Sequence, residues 1–216
     1  MGIITVERKV LRKNDEVAAE NRATFENMGL FVVNLLSSPG AGKTTLLEAT
    51  IRAAEGRLRI GVVEGDVQTD FDAQRIVATG APAVQIVTNG ACHLEAKLVQ
   101  DAMSQLDLER LDVLVIENVG NLVCPASFDL GEAKKVVIAS TTEGTDKPAK
   151  YPKMFRVAHT CVINKMDLTP HLDFDLDRFK AYARQINPEL EFIETSAQTG
   201  DGVGIWLDWL ARHIGR

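Results

Sequence analysis

A chain of 216 residues has the size of one domain, or of one domain with an appendage. Its 45% apolar and 25% charged content is that of an ordinary water-soluble globular protein, and a formal charge of −6 lacks the basic face that a nucleic-acid backbone requires. Apolar runs such as residues 30–36 are far too short to cross a bilayer, residues 1–16 hold no secretory core segment, and Val6 stands where a myristoylation signal following Gly2 needs Ser or Thr. The expectation is a cytoplasmic protein whose partners include neither membrane nor nucleic acid.

Residues 15–28, DEVAAENRATFENM, predict a helix that Gly29 stops. Val17, Phe25 and Met28 give it an apolar side, so residues 1–29 are expected to form a helical extension packed on a main domain of residues 30–216. Arg8, Lys9, Arg12 and Lys13 ahead of it read as a solvated basic face. From Leu30 onward, short Val- and Ile-rich runs at 30–36, 59–65, 83–87, 112–118, 135–140, 160–165 and 191–195 predict strands buried on both faces of a mainly parallel sheet. Helical stretches at 44–55, 93–106, 177–186 and 203–214 separate several of them. This alternation predicts an α/β fold with its sites at the carboxyl ends of the strands.

The first strand runs into SSPGAGKT at 37–44, which opens a helix. That is the context of a phosphate loop, and it places the chain among P-loop NTPases. The nucleotide-binding candidates here are Ser38, Pro39, Gly40, Ala41, Gly42, Lys43, Thr44 and Thr45. Glycines let the backbone approach the phosphates, and the loop amides and helix N-terminus offer donors to the anion. Lys43 reaches toward the β- and γ-phosphates, and Thr44 Oγ1 ligates Mg²⁺. Ser37 occupies the place where the general pattern has Gly. Mg²⁺ needs further oxygen ligands, and Asp66 and Glu117 end apolar strands. Glu117 is the Walker-B-type candidate, Asp66 a metal ligand or water-orienting group, and Asp70 a weaker water-orienting candidate. Lys43, Asp66 and Glu117 form the expected catalytic set.

NKMD at 164–167 and TSAQTG at 195–200 each follow a strand. A carboxylate at Asp167 accepts two hydrogen bonds from the guanine edge, which adenine does not offer. Asn164 braces the loop, the Lys165 stem covers the base, and the Ser196–Ala197 segment supplies an amide to guanine O6. GTP or GDP with Mg²⁺ is the expected ligand.

The three cysteines, Cys92, Cys124 and Cys161, are odd in number and form no CxxC pair, which points to free or ligating thiols rather than a disulfide framework. Cys92 and His93 lie in GACHLEA, and Cys124 lies just after Glu117 in ENVGNLVCP. Two thiolates and an imidazole suit Zn²⁺ or Ni²⁺. The alternative is a metal-free cysteine beside a capping histidine. Cys161 reads as a core thiol, and His159, His171 and His213 as surface residues.

SSPGAGKTT, VVEGDVQTD, GACHLEA, ENVGNLVCP, KYPKMF at 150–155 and NKMDL together resemble the HypB family of hydrogenase nickel-incorporation GTPases, over about residues 15–215. The Cys-Pro-His motif of the related urease nickel-insertion GTPases is absent. The resemblance implies a dimerising G domain of the class that also holds signal-recognition-particle and MinD-type NTPases, although Ser38 stands where the MinD branch has its lysine. It implies a nickel or zinc site at Cys92, His93 and Cys124 near a GTP-dependent homodimer interface. It further implies two partners, a small nickel- and zinc-binding maturation chaperone and the hydrogenase large subunit. Lys150 and Lys153 would reach across the dimer, and Leu168 and Leu172 would form a second contact between subunits, against solvated charges and core packing as the plainer readings. No Cys or His precedes Cys92 in these residues, so the tight nickel storage of some family members is not assigned to them. The rival expectation is a regulatory GTPase that acts through protein contacts alone, its Cys–His pair metal-free.

Overall fold

The computed structural model describes residues 6–68 and 71–215, with side chains from Val10 onward. Asp70 and the side chains of Arg8 and Lys9 lie outside the described residues. In chain order the elements are α1 (Val6–Met28), β1 (Phe31–Ser37), α2 (Lys43–Ala53), β2 (Ile60–Asp66), α3 (Phe71–Val77), β3 (Ala83–Val87), α4 (Ala96–Met103), β4 (Val113–Glu117), β5 (Lys134–Ser140), α5 (Lys147–Lys150), α6 (Pro152–Val157), β6 (Thr160–Asn164), α7 (Leu176–Ile186), β7 (Glu191–Glu194) and α8 (Val203–Ala211). Every strand lies where its apolar run predicts one. Helix α1 starts at Val6 rather than residue 15, and the short helices α3, α5 and α6 have no counterpart among the expected ones.

The strands form a single parallel sheet in the order β3-β2-β4-β1-β5-β6-β7. β1 is central and buried along its whole length, whereas the edge strand β7 exposes Glu191 and Glu194 at its two ends. Alternation along β1 sends Val33 and Leu35 to one face and Val32 and Leu36 to the other. On the first face they meet Leu46 and Leu47 of α2 and Trp206 and Trp209 of α8. On the second face one apolar group holds Met154, Phe155 and Phe179 from α6 and α7, and another holds Phe25 of α1 with Leu94 and Val99. The result is a three-layer α/β sandwich. Cys161 sits fully buried in the second-face core, and burial pushes its thiol up. His159 and His171 are exposed, but His213 is half-buried, stacked on Phe31 at 5.2 Å and accompanied by Trp209 at 4.3 Å between ring centroids. Its place is set by α8, which brings its last turn back over β1.

Helix α1 is fastened by buried amides. Asn14 Oδ1 accepts from the Ala96 amide (2.8 Å), and its Nδ2 donates to the Asp129 carbonyl (2.7 Å). Asn21 Nδ2 donates to the carbonyls of Ala96 (2.9 Å) and Leu130 (3.1 Å). Arg22 adds an ion pair to Asp129 at 2.5 Å. The close approach needs Gly131, whose φ is +92° and whose absent Cβ would lie 2.7–2.9 Å from Asn21 Cβ, the Ala18 carbonyl oxygen and the Arg22 amide. Gly131→Ala is therefore expected to destabilise the fold by about 2–4 kcal/mol, read as a lower urea midpoint at unchanged slope. An unchanged midpoint would show that α1 does not seat here in solution. Leu168 and Leu172 are not core residues; Leu172 is 37% exposed, because the turn after β6 carries them outward.

Candidate functional site

The phosphate loop joins β1 to α2 through two left-handed glycines, Gly40 (φ +75°) and Gly42 (φ +92°). Gly42 is also where another loop comes closest, since a Cβ there would lie 2.6 Å from Asn164 Nδ2. Asn164 Nδ2 donates to the carbonyls of Ala41 (3.2 Å) and Gly42 (3.5 Å), so the end of β6 braces the phosphate loop directly. Lys165, itself left-handed at φ +62°, donates to the Gly40 carbonyl at 2.7 Å. Lys43 Nζ donates to Ser37 Oγ at 2.8 Å and lies 3.9 Å from Glu117 Oε1. The serine in place of the first loop glycine thus gives the lysine an acceptor. Ser38 is buried, Pro39, Gly40, Gly42, Lys43, Thr44 and Thr45 line a cavity of about 470 Å³, and Ala41 is buried behind it.

The opposite wall carries acid groups. Thr44 Oγ1 donates to Glu117 Oε1 at 2.9 Å. Glu64 is directly in register with Glu117 on the neighbouring strand, so both side chains emerge on the same face. Asp72, from the first turn of α3, completes a cluster with these two in which one oxygen of each lies within 4.8 Å of the others. Asp66 lines the same cavity from the end of β2 and accepts from the Gln68 amide at 2.8 Å; register places it level with Val87 of β3, beyond the end of β4. The structure therefore groups Glu64 and Asp72, which the sequence motifs do not single out, with Glu117. Burial, and then the neighbouring Glu117, push the Glu64 carboxyl up to about 11. Glu117 is raised as well by burial, with Lys43 opposing. Among the described residues, no other group donates a hydrogen bond to the buried Glu64 Oε2 or Glu117 Oε2. Two such orphaned oxygens, a third carboxylate and a threonine hydroxyl are hard donors, and the set fits Mg²⁺. Arg75 ties α3 to α2 by donating to Asp72 (3.1 Å), Glu48 (2.6 Å) and Thr45 Oγ1 (3.1 Å).

At the other side of the loop, Asp167 Oδ1 accepts from Ser196 Oγ at 2.6 Å, which orients the carboxylate after β6. The Ala197 amide, expected to face guanine O6, donates to Asn164 Oδ1 at 3.1 Å. Asn164 also accepts from Thr195 Oγ1 at 3.3 Å. One buried asparagine thus joins the phosphate loop and both strand-end loops.

A second cluster lies on the segments that follow β3 and β4. The sulfurs of Cys92 and Cys124 and a ring nitrogen of His93 all lie within 4.8 Å of one another, and all three residues are half-buried. Cys92 Sγ is 3.7 Å from His93 Nδ1. The imidazole stacks on Phe128 with centroids 3.8 Å apart, and burial holds it below the usual histidine range, in the neutral form that ligates metal. Asn121 Oδ1 accepts from the Val123 (2.7 Å) and Cys124 (3.2 Å) amides and shapes the loop that presents Cys124. The Cys124 thiol is pushed up by its hydrogen bond with Cys92. Two soft sulfurs and one imidazole fit Ni²⁺ or Zn²⁺. Lys150 and Lys153 are engaged locally, with Asp146 at 2.7 Å and with Ser127.

Known proteins resemble this chain in sequence and in fold. Residues 31–194 match the family described as CobW/HypB/UreG, nucleotide-binding domain. The chain is 56% identical over 213 residues to the hydrogenase maturation factor HypB of Azotobacter vinelandii, covering 99% of this chain and 70% of that protein. The crystal structure of HypB from Helicobacter pylori in complex with nickel superposes with a TM-score of 0.89 at 40% identity, over 93% of this chain and 94% of that one. The signal recognition particle receptor FtsY from Elizabethkingia anophelis shares the fold, at a TM-score of 0.57 and 14% identity over 95% of this chain and 81% of that one. The chain belongs to the CobW/HypB/UreG family of P-loop GTPases, in the HypB branch of hydrogenase maturation factors.

Proposed function

We propose that this chain is a GTP-hydrolysing metallochaperone that binds nickel or zinc and assists nickel insertion into the large subunit of a [NiFe]-hydrogenase. The observation that carries this reading is the position of the Cys92–His93–Cys124 cluster: Cys124 follows Glu117 on one loop, so one soft ligand and the acid wall share a segment. Lys43 and the phosphate-loop amides offset charge that develops on the transferring phosphoryl group. Thr44 and Glu117, with Glu64, Asp72 or Asp66, hold Mg²⁺, which when bound neutralises phosphate charge. Asp66, on the cavity wall, orients the attacking water. Asn164, Lys165, Asp167, Ser196 and Ala197 hold the guanine side.

Nickel is the cargo, carried at Cys92, His93 and Cys124 in a cytoplasmic protein that dimerises with GTP. Its expected partners are a small metal-binding maturation chaperone and the hydrogenase large subunit. Metal affinity must differ between nucleotide states, or hydrolysis has nothing to act on.

Native mass spectrometry with Ni²⁺ or Zn²⁺, in Mg·GDP and in a non-hydrolysable GTP analogue, tests this. The metal affinity is expected to shift between the two states. Cys124→Ala is expected to weaken metal binding by at least the roughly 10- to 100-fold that follows loss of an outer-shell partner, while Mg·GTP binding persists. Identical or negligible occupancy in both states would favour a GTPase acting through protein contacts alone.

A further inference from the structure

We infer that Asn118 is a positioning residue that links the Mg²⁺–GTP wall to the nickel loop. The inference rests on the metal-switch reading above. Adjacent residues of a strand project to opposite faces. At the end of β4, Glu117 therefore turns into the nucleotide cavity, which Asn118 also lines, and the Asn118 side chain is hydrogen-bonded to the segment that bears His93. Asn118 is 1% exposed. Its Oδ1 accepts from the amide of Leu94 (3.2 Å), the residue after His93, and from that of Val119 (3.0 Å). Its Nδ2 donates to Asn34 Oδ1 at 3.3 Å. Asn34 Nδ2 in turn donates to Glu132 Oε1 (3.1 Å), and Glu132 Oε2 accepts from the Leu130 amide (2.7 Å), two residues beyond the Phe128 ring that covers His93. One buried polar chain thus holds both segments that frame the imidazole.

The other end of the linkage is the bond from Thr44 Oγ1 to Glu117. When that hydroxyl turns to a cation, Glu117 loses its donor and shifts toward the cation itself. The peptide that joins residues 117 and 118 conveys the shift, since the Asn118 amide donates to the Leu35 carbonyl at 3.1 Å and its side chain is held on three sides. Packed, hydrogen-bonded segments take discrete arrangements rather than bending gradually.

The same segment offers an internal control. Asn14 of α1 holds the Ala96 amide at 2.8 Å and the Asp129 carbonyl at 2.7 Å, neither of them in the nucleotide wall. Both asparagines position the nickel loop, and Asn118 alone adjoins Glu117. Ni²⁺ affinity is measured on the full chain in Mg·GDP and in the GTP analogue, with the thiolate-to-nickel charge-transfer band as a second readout. Wild type is expected to show a ratio of Ni²⁺ affinities between the two states in the range of roughly 5- to 150-fold. In Asn118→Ala the ratio is expected to fall to within about twofold, with the charge-transfer band no longer sensitive to the nucleotide. Asn14→Ala is expected to weaken Ni²⁺ in both states alike and to keep the ratio.

A ratio retained in Asn118→Ala overturns the inference and leaves the metal switch standing. A ratio lost equally in both variants also overturns it, because loop rigidity in general would then be responsible. A ratio near one in wild type overturns the switch and the inference together. If Asn118→Ala no longer binds Mg·GDP, amide hydrogen exchange on the unsubstituted chain decides: Leu94 is expected to change protection between nucleotide states and Ala96 is not, and an unchanged Leu94 overturns the proposal.

Discussion

Asp167→Ala is expected to lower affinity for GTP and GDP by roughly 10²- to 10⁴-fold, because two hydrogen bonds to a charged acceptor are removed together. The structure shows why this carboxylate is ready for them. Ser196 Oγ holds one oxygen at 2.6 Å and fixes its direction, while Asn164 anchors the loop behind it. ATP affinity should barely move, since adenine offers no matching donor pair, so discrimination between the bases collapses. Ser196→Ala leaves the carboxylate charged but unoriented, and its cost should be nearer the value of one hydrogen bond, about 0.5–1.5 kcal/mol. Fluorescent-nucleotide titrations measure both. Equal losses for GDP and ADP in Asp167→Ala would remove this residue from base recognition.

Lys43→Ala is expected to reduce the rate of GTP hydrolysis by about 10²- to 10³-fold, the scale attached to losing one preorganised donor at developing charge. The lysine is held against Ser37 at 2.8 Å and beside Glu117 at 3.9 Å, so it is positioned before any substrate arrives. Its removal also takes the nearest cation from two buried carboxyl groups. GDP binding should survive better than turnover, since the guanine-side contacts of Asn164, Asp167 and Ser196 are untouched. Single-turnover phosphate release, set against GDP affinity, separates the two effects. Loss of both in equal measure would indicate a collapsed phosphate loop rather than a lost catalytic group.

The strands were legible because burial on both faces demands continuous Val- and Ile-rich runs, and seven of these punctuate the chain from Leu30 onward. The phosphate loop was legible for a related reason: close backbone approach needs Gly40 and Gly42 at fixed spacing, and both adopt positive φ. The short helices were not. Helix α3 has only seven residues, too few for a helical period to stand out, and α5 and α6 are shorter still and each carries a proline in its first turn.

By itself the sequence determined the places of the seven strands, the α/β class, the family, and which residue types sit at each strand end. These depend on local spacing, and local spacing is what a linear pattern holds. Tertiary structure alone decided who meets whom. Glu64 joins Glu117 because β2 and β4 pair in that register, and Asp72 reaches them because α3 folds back over the cavity. Phe128 covers His93, and Asn118, Asn34 and Glu132 connect across the neighbouring strands β4, β1 and β5, through contacts between residues as many as 98 positions apart. Such pairings follow from strand order and sheet twist, which no local period encodes, and they set the distances on which the chemistry depends.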